Sequence, residues 1–210
     1  MKVDVPFYSN TQDNTHCYQA ALKMVLKYFK PNEEYSWEQL DQITAKVKDL
    51  WTWPTASMIW LNEKGFELID IEIFDWDKFS KQGESYLIDF YGEEVAKEQI
   101  KHGDIEQEKK LARNLVERIK IQNRLPSIDD IKELLSKGYL IIALINSSKI
   151  NQKDGYTGHF VVIKSFDENN LVINDPGLPP LENREVSYEL FIQSWAYPYE
   201  NAKNLLAIKL

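Results

Sequence analysis

The residue best suited to act as a nucleophile in this sequence of 210 residues is its only cysteine, Cys17. It follows a polar, turn-prone run in which Asp13, Asn14 and Thr15 can each cap a helix. Apolar residues then recur at helical spacing as far as Phe29, which predicts a buried helix with the cysteine in its first turn. Free backbone N–H groups and the helix dipole favour a thiolate there. The alternative is a small, half-buried side chain without reactivity.

A thiolate nucleophile needs a general base, and the chain has three histidines. His16 is next to the cysteine, but adjacent side chains at a helix start diverge, which makes it a poor base for that thiol. His102 lies in a highly charged stretch and is expected to face solvent. His159 stands at the start of an apolar run that predicts a buried strand, and it is the best candidate.

A carboxylate candidate, Asp175, lies sixteen residues after His159. The apolar runs on either side of the turn at 167–170 are predicted to pair as a hairpin, and counting back from that turn places Asp175 beside His159. A carboxylate on one imidazole nitrogen leaves the other facing a nucleophile. Each residue also has a purely structural interpretation, because Asp-Pro-Gly commonly ends a strand and an edge histidine is often a satisfied polar group. Together with Cys17, the joint catalytic interpretation is favoured.

The elements that must position these residues come as helices first and strands later. Helices are predicted at 17–29, 37–47, 55–64, 126–137 and 186–195, and strands at 66–76, 139–145, 159–163, 171–174 and 205–210. The run at 139–145 is almost continuously apolar, which predicts a central strand. This order predicts an α+β fold, with N-terminal helices packed on a C-terminal antiparallel sheet.

The segment 77–124 differs from the rest of the chain because it is dense in Glu, Lys and Gln. Its apolar residues are spaced as in two or three amphipathic surface helices packed on a core formed elsewhere. We interpret the chain as a single domain, 1–210, with this segment as a helical insertion. The charge run at 106–113 is interpreted as a solvated helical face, and the role of the whole segment stays open between a lid over a substrate groove, a dimer contact and packing.

Composition excludes several classes of function. The net charge of −8 argues against a nucleic-acid partner, because nothing offsets phosphate repulsion. A single cysteine allows no internal disulfide and no cysteine-rich zinc site, and no metal or other cofactor is expected. The first residues lack the apolar run of a signal peptide, and no stretch approaches the roughly 18 apolar residues of a membrane span. A cytoplasmic location is predicted.

Three pieces of sequence resemble a known family. They are Gln12…Cys17-(x)2-Ala-Ala-Leu-Lys-Met-Val-Leu, then Gly-His159-Phe-Val-Val-Ile, then Asn-Asp175-Pro. In this order they resemble the C39-like branch of the papain-fold cysteine peptidases, which is related to bacteriocin-leader processing peptidases. The resemblance covers most of the chain except 77–124, and it implies a papain-like fold.

The resemblance also implies roles for four residues. Cys17 would be the nucleophile, His159 the base and Asp175 the group that orients it, and Gln12 would donate to the oxyanion beside the backbone N–H of Cys17. Two positions differ from the usual pattern of the family. Tyr18 follows the nucleophile where glycine is usual, and Gln12 precedes it by five residues rather than six.

The function predicted on this basis is cysteine-dependent hydrolysis of a peptide or small amide through a thioester acyl-enzyme. One alternative keeps the same triad but transfers the acyl group to an amine or thiol. Another is a catalytically silent module that holds a peptide in the cleft, which the displaced glutamine and the missing glycine favour slightly. The identity of the substrate and the oligomeric state stay open.

Overall fold

A computed structural model describes residues 3–210 of the chain as ten α-helices, one short 3-10 helix at Glu200–Ala202 and seven strands. The helices are α1 (Cys17–Phe29), α2 (Trp37–Ile43), α3 (Thr55–Glu63), α4 (Trp76–Gln82), α5 (Glu84–Tyr91), α6 (Glu93–His102), α7 (Ile105–Arg118), α8 (Ile128–Ser136), α9 (Ser147–Ile150) and α10 (Tyr188–Trp195). The strands are β1 (Glu67–Glu72), β2 (Ile121–Asn123), β3 (Leu140–Asn146), β4 (Gly158–Phe166), β5 (Asn170–Asp175), β6 (Leu181–Ser187) and β7 (Asn204–Lys209).

The strands form one sheet in the order β2-β1-β7-β3-β4-β5-β6. All neighbours are antiparallel except β1 and β2, which run parallel at one edge. The predicted α+β class is confirmed, and β3 is the central strand as its apolar run indicates. The edge strand β6 is absent from the sequence prediction, because only Val186 among its seven residues is buried and the pattern gives no apolar alternation.

The two faces of the sheet pack against different helices. On one face, α1 and α3 bury a core with the strand residues Leu140, Ile142, Leu206 and Ile208. On the other face, α8 and α10 cover the alternate residues of the same strands. Because successive strand side chains point to opposite faces, the regular alternation keeps both layers apolar. The helices formed by residues 3–210 are all too short or too polar to span a lipid bilayer.

The charged segment 77–124 contributes more structure than its sequence predicts. It contains most of α4, all of α5, α6 and α7, and the edge strand β2, rather than two or three surface helices. Phe79, Leu87 and Leu115 are fully buried in the core shared with α1. The prediction of helices laid on a core formed elsewhere was therefore wrong, since few but large apolar residues supply one side of that core.

Side-chain caps account for the starts of several helices. Ser36 begins α2 with a capping box in which Gln39 returns the hydrogen bond. Ser127 does the same for α8 with Asp130. The helix α2 ends at Ile43, four residues earlier than predicted from its apolar spacing.

Candidate active site

Cys17 is the first residue of α1, in agreement with its predicted position in the first helical turn. The N-cap is His16, and no side chain caps the helix, so the prediction that Asp13, Asn14 or Thr15 would cap it was wrong. Asn10 holds the preceding loop instead, because its Oδ1 accepts hydrogen bonds from the backbone N–H of Thr11 at 2.9 Å and of His16 at 2.8 Å.

The hairpin of β4 and β5 brings His159 and Asp175 together. Val162 pairs with Asn174, so His159 and Asp175 are diagonal neighbours across the two strands. The Nε2 atom of His159 lies 2.7 Å from Oδ1 of Asp175, and the two residues are 6% and 4% exposed. This bond leaves Nδ1 as the ring nitrogen available to the sulfur of Cys17.

The electrostatics of the three side chains are mutually dependent. Burial alone would raise the pKa of the Cys17 thiol, but the hydrogen bond and positive charge of His159 outweigh it and lower the pKa. Burial opposes the charged form of His159 in the same way, yet Asp175 and Cys17 raise its pKa to about 10. Burial also works against ionised Asp175, while His159 brings its pKa down to about 2. The arrangement therefore favours a thiolate–imidazolium pair beside an ionised carboxylate.

Two further residues fix the carboxylate of Asp175. The backbone N–H of Gly177 donates to Oδ1 at 2.9 Å, and Nη1 of Arg184 donates to Oδ2 at 2.8 Å. The other end of the guanidinium donates to the backbone oxygen of Ile150 at 2.8 Å, which anchors Arg184. The sequence analysis missed Arg184 because it lies on β6, a strand that was not predicted. In the structure Arg184 lies opposite Ile173, two residues before Asp175.

Gly177 also leaves room for the histidine–aspartate pair. A Cβ atom at this position would lie 3.0 Å from Oδ1 of Asp175 and 3.3 Å from Nε2 of His159. The neighbouring Pro176 accepts a hydrogen bond from the backbone N–H of Asn10 at 2.8 Å. That bond ties the loop before Cys17 to the end of β5.

The other two histidines have different partners. His16 lies with Nε2 3.2 Å from Oδ1 of Asp41 and Nδ1 2.8 Å from the hydroxyl of Thr11. His102 is half-buried rather than facing solvent as predicted, because its ring stacks on Trp51 with centroids 4.7 Å apart.

The structure does not bring Gln12 to the other predicted site residues. Its side chain is exposed in the turn after Thr11, outside the residues that line the cavity at Cys17. Asn14 lines that cavity instead, with a backbone φ of 59° and its Oδ1 accepting from Nδ2 of Asn10 at 2.9 Å.

A cavity of about 450 Å³ extends from Cys17 and His159 along the sheet. Its floor is the sheet face formed by β4, β3, β7 and β1, and its walls include the loop 51–54. Tyr91 and Gln99 line it from the charged segment 77–124. No cluster of His, Cys, Asp and Glu side chains in the described part of the chain has the arrangement of a metal site.

Comparisons with known proteins agree with this architecture. The model of a family described as "Peptidase_C39 like family" matches residues 2–203. Among solved structures, the chain is similar to the peptidase domain of Streptococcus ComA, described as a bifunctional ABC transporter involved in a quorum-sensing pathway. The identity is 17% and the TM-score 0.50, over 98% of this chain and 97% of that one.

A chain from Bacillus anthracis, described as a C39-like peptidase, matches at 16% identity and a TM-score of 0.50, over 99% of this chain and 96% of that one. No curated protein matches the chain. At these identities the likeness shows the fold, which is the papain-like fold of C39 peptidase domains.

Proposed function

We propose that this chain, which belongs to the Peptidase_C39 like family, is a cysteine-dependent hydrolase of peptide or amide bonds. The observation that carries the proposal is the 2.7 Å bond between His159 Nε2 and Asp175 Oδ1, with the other ring nitrogen left to the sulfur of Cys17. The lowered pKa of Cys17 and the raised pKa of His159 support a preformed ion pair. A substrate peptide would lie in the cavity that Cys17 and His159 line.

In the first half of the reaction, the thiolate of Cys17 attacks the carbonyl carbon of the substrate, and the π electrons move to the oxygen. The tetrahedral intermediate collapses, the C–N bond breaks, and the imidazolium of His159 gives its proton to the departing amine. The products of this half are a thioester on Cys17, a free amine and a neutral imidazole. Asp175 stabilises the imidazolium and holds the ring, without taking the proton itself.

In the second half, water attacks the thioester while neutral His159 accepts a proton from it. The C–S bond breaks, the carboxylic acid leaves, and the thiolate–imidazolium pair is restored. Because Arg184 and Gly177 occupy both oxygens of Asp175 together with His159, the carboxylate stays fixed through both halves. Arg184 and Gly177 therefore act as positioning residues.

The oxyanion of the tetrahedral intermediate needs hydrogen-bond donors. We assign one to the backbone N–H of Cys17, since no side chain caps α1. The second is the Nδ2 group of Asn14, which lines the cavity and whose Oδ1 is held by Asn10. Gln12 does not line the cavity, and its side chain is exposed.

The test combines labelling with turnover. A peptide-based electrophile should add one label to Cys17 in the wild-type protein, as intact mass shows, and the His159→Ala variant should react far more slowly. The wild-type protein should cleave members of a peptide library, and the Cys17→Ala variant should cleave none while melting at a similar temperature. Turnover by the Cys17→Ala variant at the wild-type rate would overturn the proposal.

A further inference from the structure

The end of the cavity over β1, three strands from the strand that carries His159, contains two buried carboxylates. Asp70 and Glu72 are 4% and 9% exposed and line the cavity, whereas Ile71 between them points to the other face of the sheet. Oδ2 of Asp70 accepts no hydrogen bond from an N–H or hydroxyl group within the described part of the chain, and the partner of this carboxyl is the carboxyl of Glu72. No salt bridge of residues 3–210 involves either carboxylate. An unpaired buried carboxylate oxygen is costly, so it points to a missing donor.

Glu72 is only partly satisfied by its surroundings. Its Oε1 accepts a hydrogen bond from Nε1 of Trp76 at 2.5 Å. Burial raises the pKa of Glu72 to about 7. Burial, the charge of Glu72 and a hydrogen bond between the two carboxyl groups together raise the pKa of Asp70 well above its usual range. A cation placed between the two would let both carboxylates ionise, which neither does readily alone.

Aromatic rings surround the same end of the cavity. Trp53, Phe74, Trp76 and Tyr91 all line it. Trp53 lies with its ring centroid 6.1 Å from that of Trp76, and Phe74 lies 4.7 Å from Trp76. Rings that line a water-poor space beside carboxylates attract a cation through their π faces and pack on the methylene groups of its stem.

The sheet connects this end of the cavity to Cys17. Asp70 pairs with Leu206 on β7, Leu206 with Ile142 on β3, and Ile142 with Val162 on β4, the strand that carries His159. Three strand spacings are about 14 Å, and His159 lies three residues, or about 10 Å, along β4 from Val162, so the diagonal distance is about 17 Å. A lysine side chain covers roughly 6 Å of that span, and the rest is about three or four residues of extended peptide.

We propose that this end of the cavity is a substrate subsite for a positively charged side chain, lysine or arginine, about three or four residues from the scissile bond. Oδ2 of Asp70 accepts from the ammonium or guanidinium group, Glu72 supplies the second negative charge, and the four rings enclose the aliphatic stem. The inference rests on the proposed function for the identity of the ligand as a peptide.

Binding to an inert protein tests the subsite apart from catalysis. Blocked peptides in which lysine, arginine, norleucine, citrulline or glutamate is scanned through every position of an otherwise alanine sequence are titrated into the Cys17→Ala variant. We expect lysine and arginine to bind at least tenfold more tightly than norleucine and citrulline at one position. Asp70→Asn, a neutral substitution of nearly the same shape, should remove that preference, and Glu72→Gln should reduce it. Asp129→Asn is the matched control, because it removes the same charge from an exposed site on α8.

The outcomes distinguish failure of the subsite proposal from failure of the proposed hydrolase activity. Equal binding of lysine and norleucine peptides at every position, or an unchanged lysine preference in Asp70→Asn, would overturn the subsite even if the wild-type protein cleaves peptides. A lysine preference that depends on Asp70, without cleavage by the wild-type protein, would sustain the subsite and overturn the hydrolase. If neither carboxylate variant folds, equal affinity of the Cys17→Ala protein for lysine and norleucine peptides still overturns the subsite.

Discussion

Removal of the imidazole that faces Cys17 should return the pKa and reactivity of the thiol to those of an ordinary cysteine. In the His159→Ala variant the hydrogen bond and charge that lower the pKa of Cys17 are gone, and burial, which raises it, remains. The pKa should then reach or exceed the ordinary 9.0. A thiol of that pKa is about 1% thiolate at pH 7, and its fraction of thiolate rises about tenfold per pH unit below the pKa.

The measurement is the rate of alkylation by iodoacetamide from pH 5 to 10, followed by intact mass. The wild-type profile should reach its plateau at least one pH unit below that of His159→Ala. The His16→Ala variant is the matched control, because it removes the adjacent histidine, which pairs with Asp41 instead. Its profile should follow the wild type. Superimposable profiles for wild type and His159→Ala would refute the ion pair.

Three other substitutions probe the site and its surroundings. Asn14→Ala should lower kcat by about 10- to 1,000-fold through the lost oxyanion donor, and Gln12→Ala should change it less than about twofold. Gly177→Ala should lower kcat about tenfold with little change in melting temperature, because its Cβ would press on the ring of His159; an unchanged kcat would show that the pair tolerates displacement. Glu72→Gln should raise the melting temperature relative to wild type by an amount that grows between pH 4.5 and pH 7. A raised carboxyl pKa gives stability that is present below the unfolded value of 4.5 and lost as the pH rises through about 7, on the order of 3 kcal/mol. A difference between the two melting temperatures that does not vary with pH would contradict this.

Local signals were sufficient to predict the parts of the candidate site that lie on regular elements. The helix start at Cys17 and the hairpin that joins His159 to Asp175 both follow from patterns within about twenty residues. The family resemblance and the papain-like fold are confirmed, while the catalytic roles stay predictions. Periodicity predicts which elements pair when the chain between them is a short turn.

Features that depend on distant parts of the chain could not be predicted in this way. Arg184 reaches Asp175 only because β6 adds to the edge of the sheet, and its sequence has no apolar alternation. The placement of Gln12 outside the cavity depends on a turn whose geometry a count of five residues does not specify. Acidic residues that alternate with apolar ones in a strand normally face solvent, but Asp70 and Glu72 are buried, and Trp76 of α4 and Tyr91 of α5 line the cavity with them.

Because Tyr91 and Gln99 line the cavity wall, the cavity is built from two separate segments of the chain. The groups proposed to break a bond lie on α1, β4 and β5, whereas part of the surface that a bound peptide would touch belongs to the charged segment 77–124. Under the proposed function, changes in that segment should alter which peptides bind and leave Cys17, His159 and Asp175 unchanged. Replacing α5 and α6 with the corresponding helices of a relative should then change peptide selectivity without altering the proposed catalytic residues.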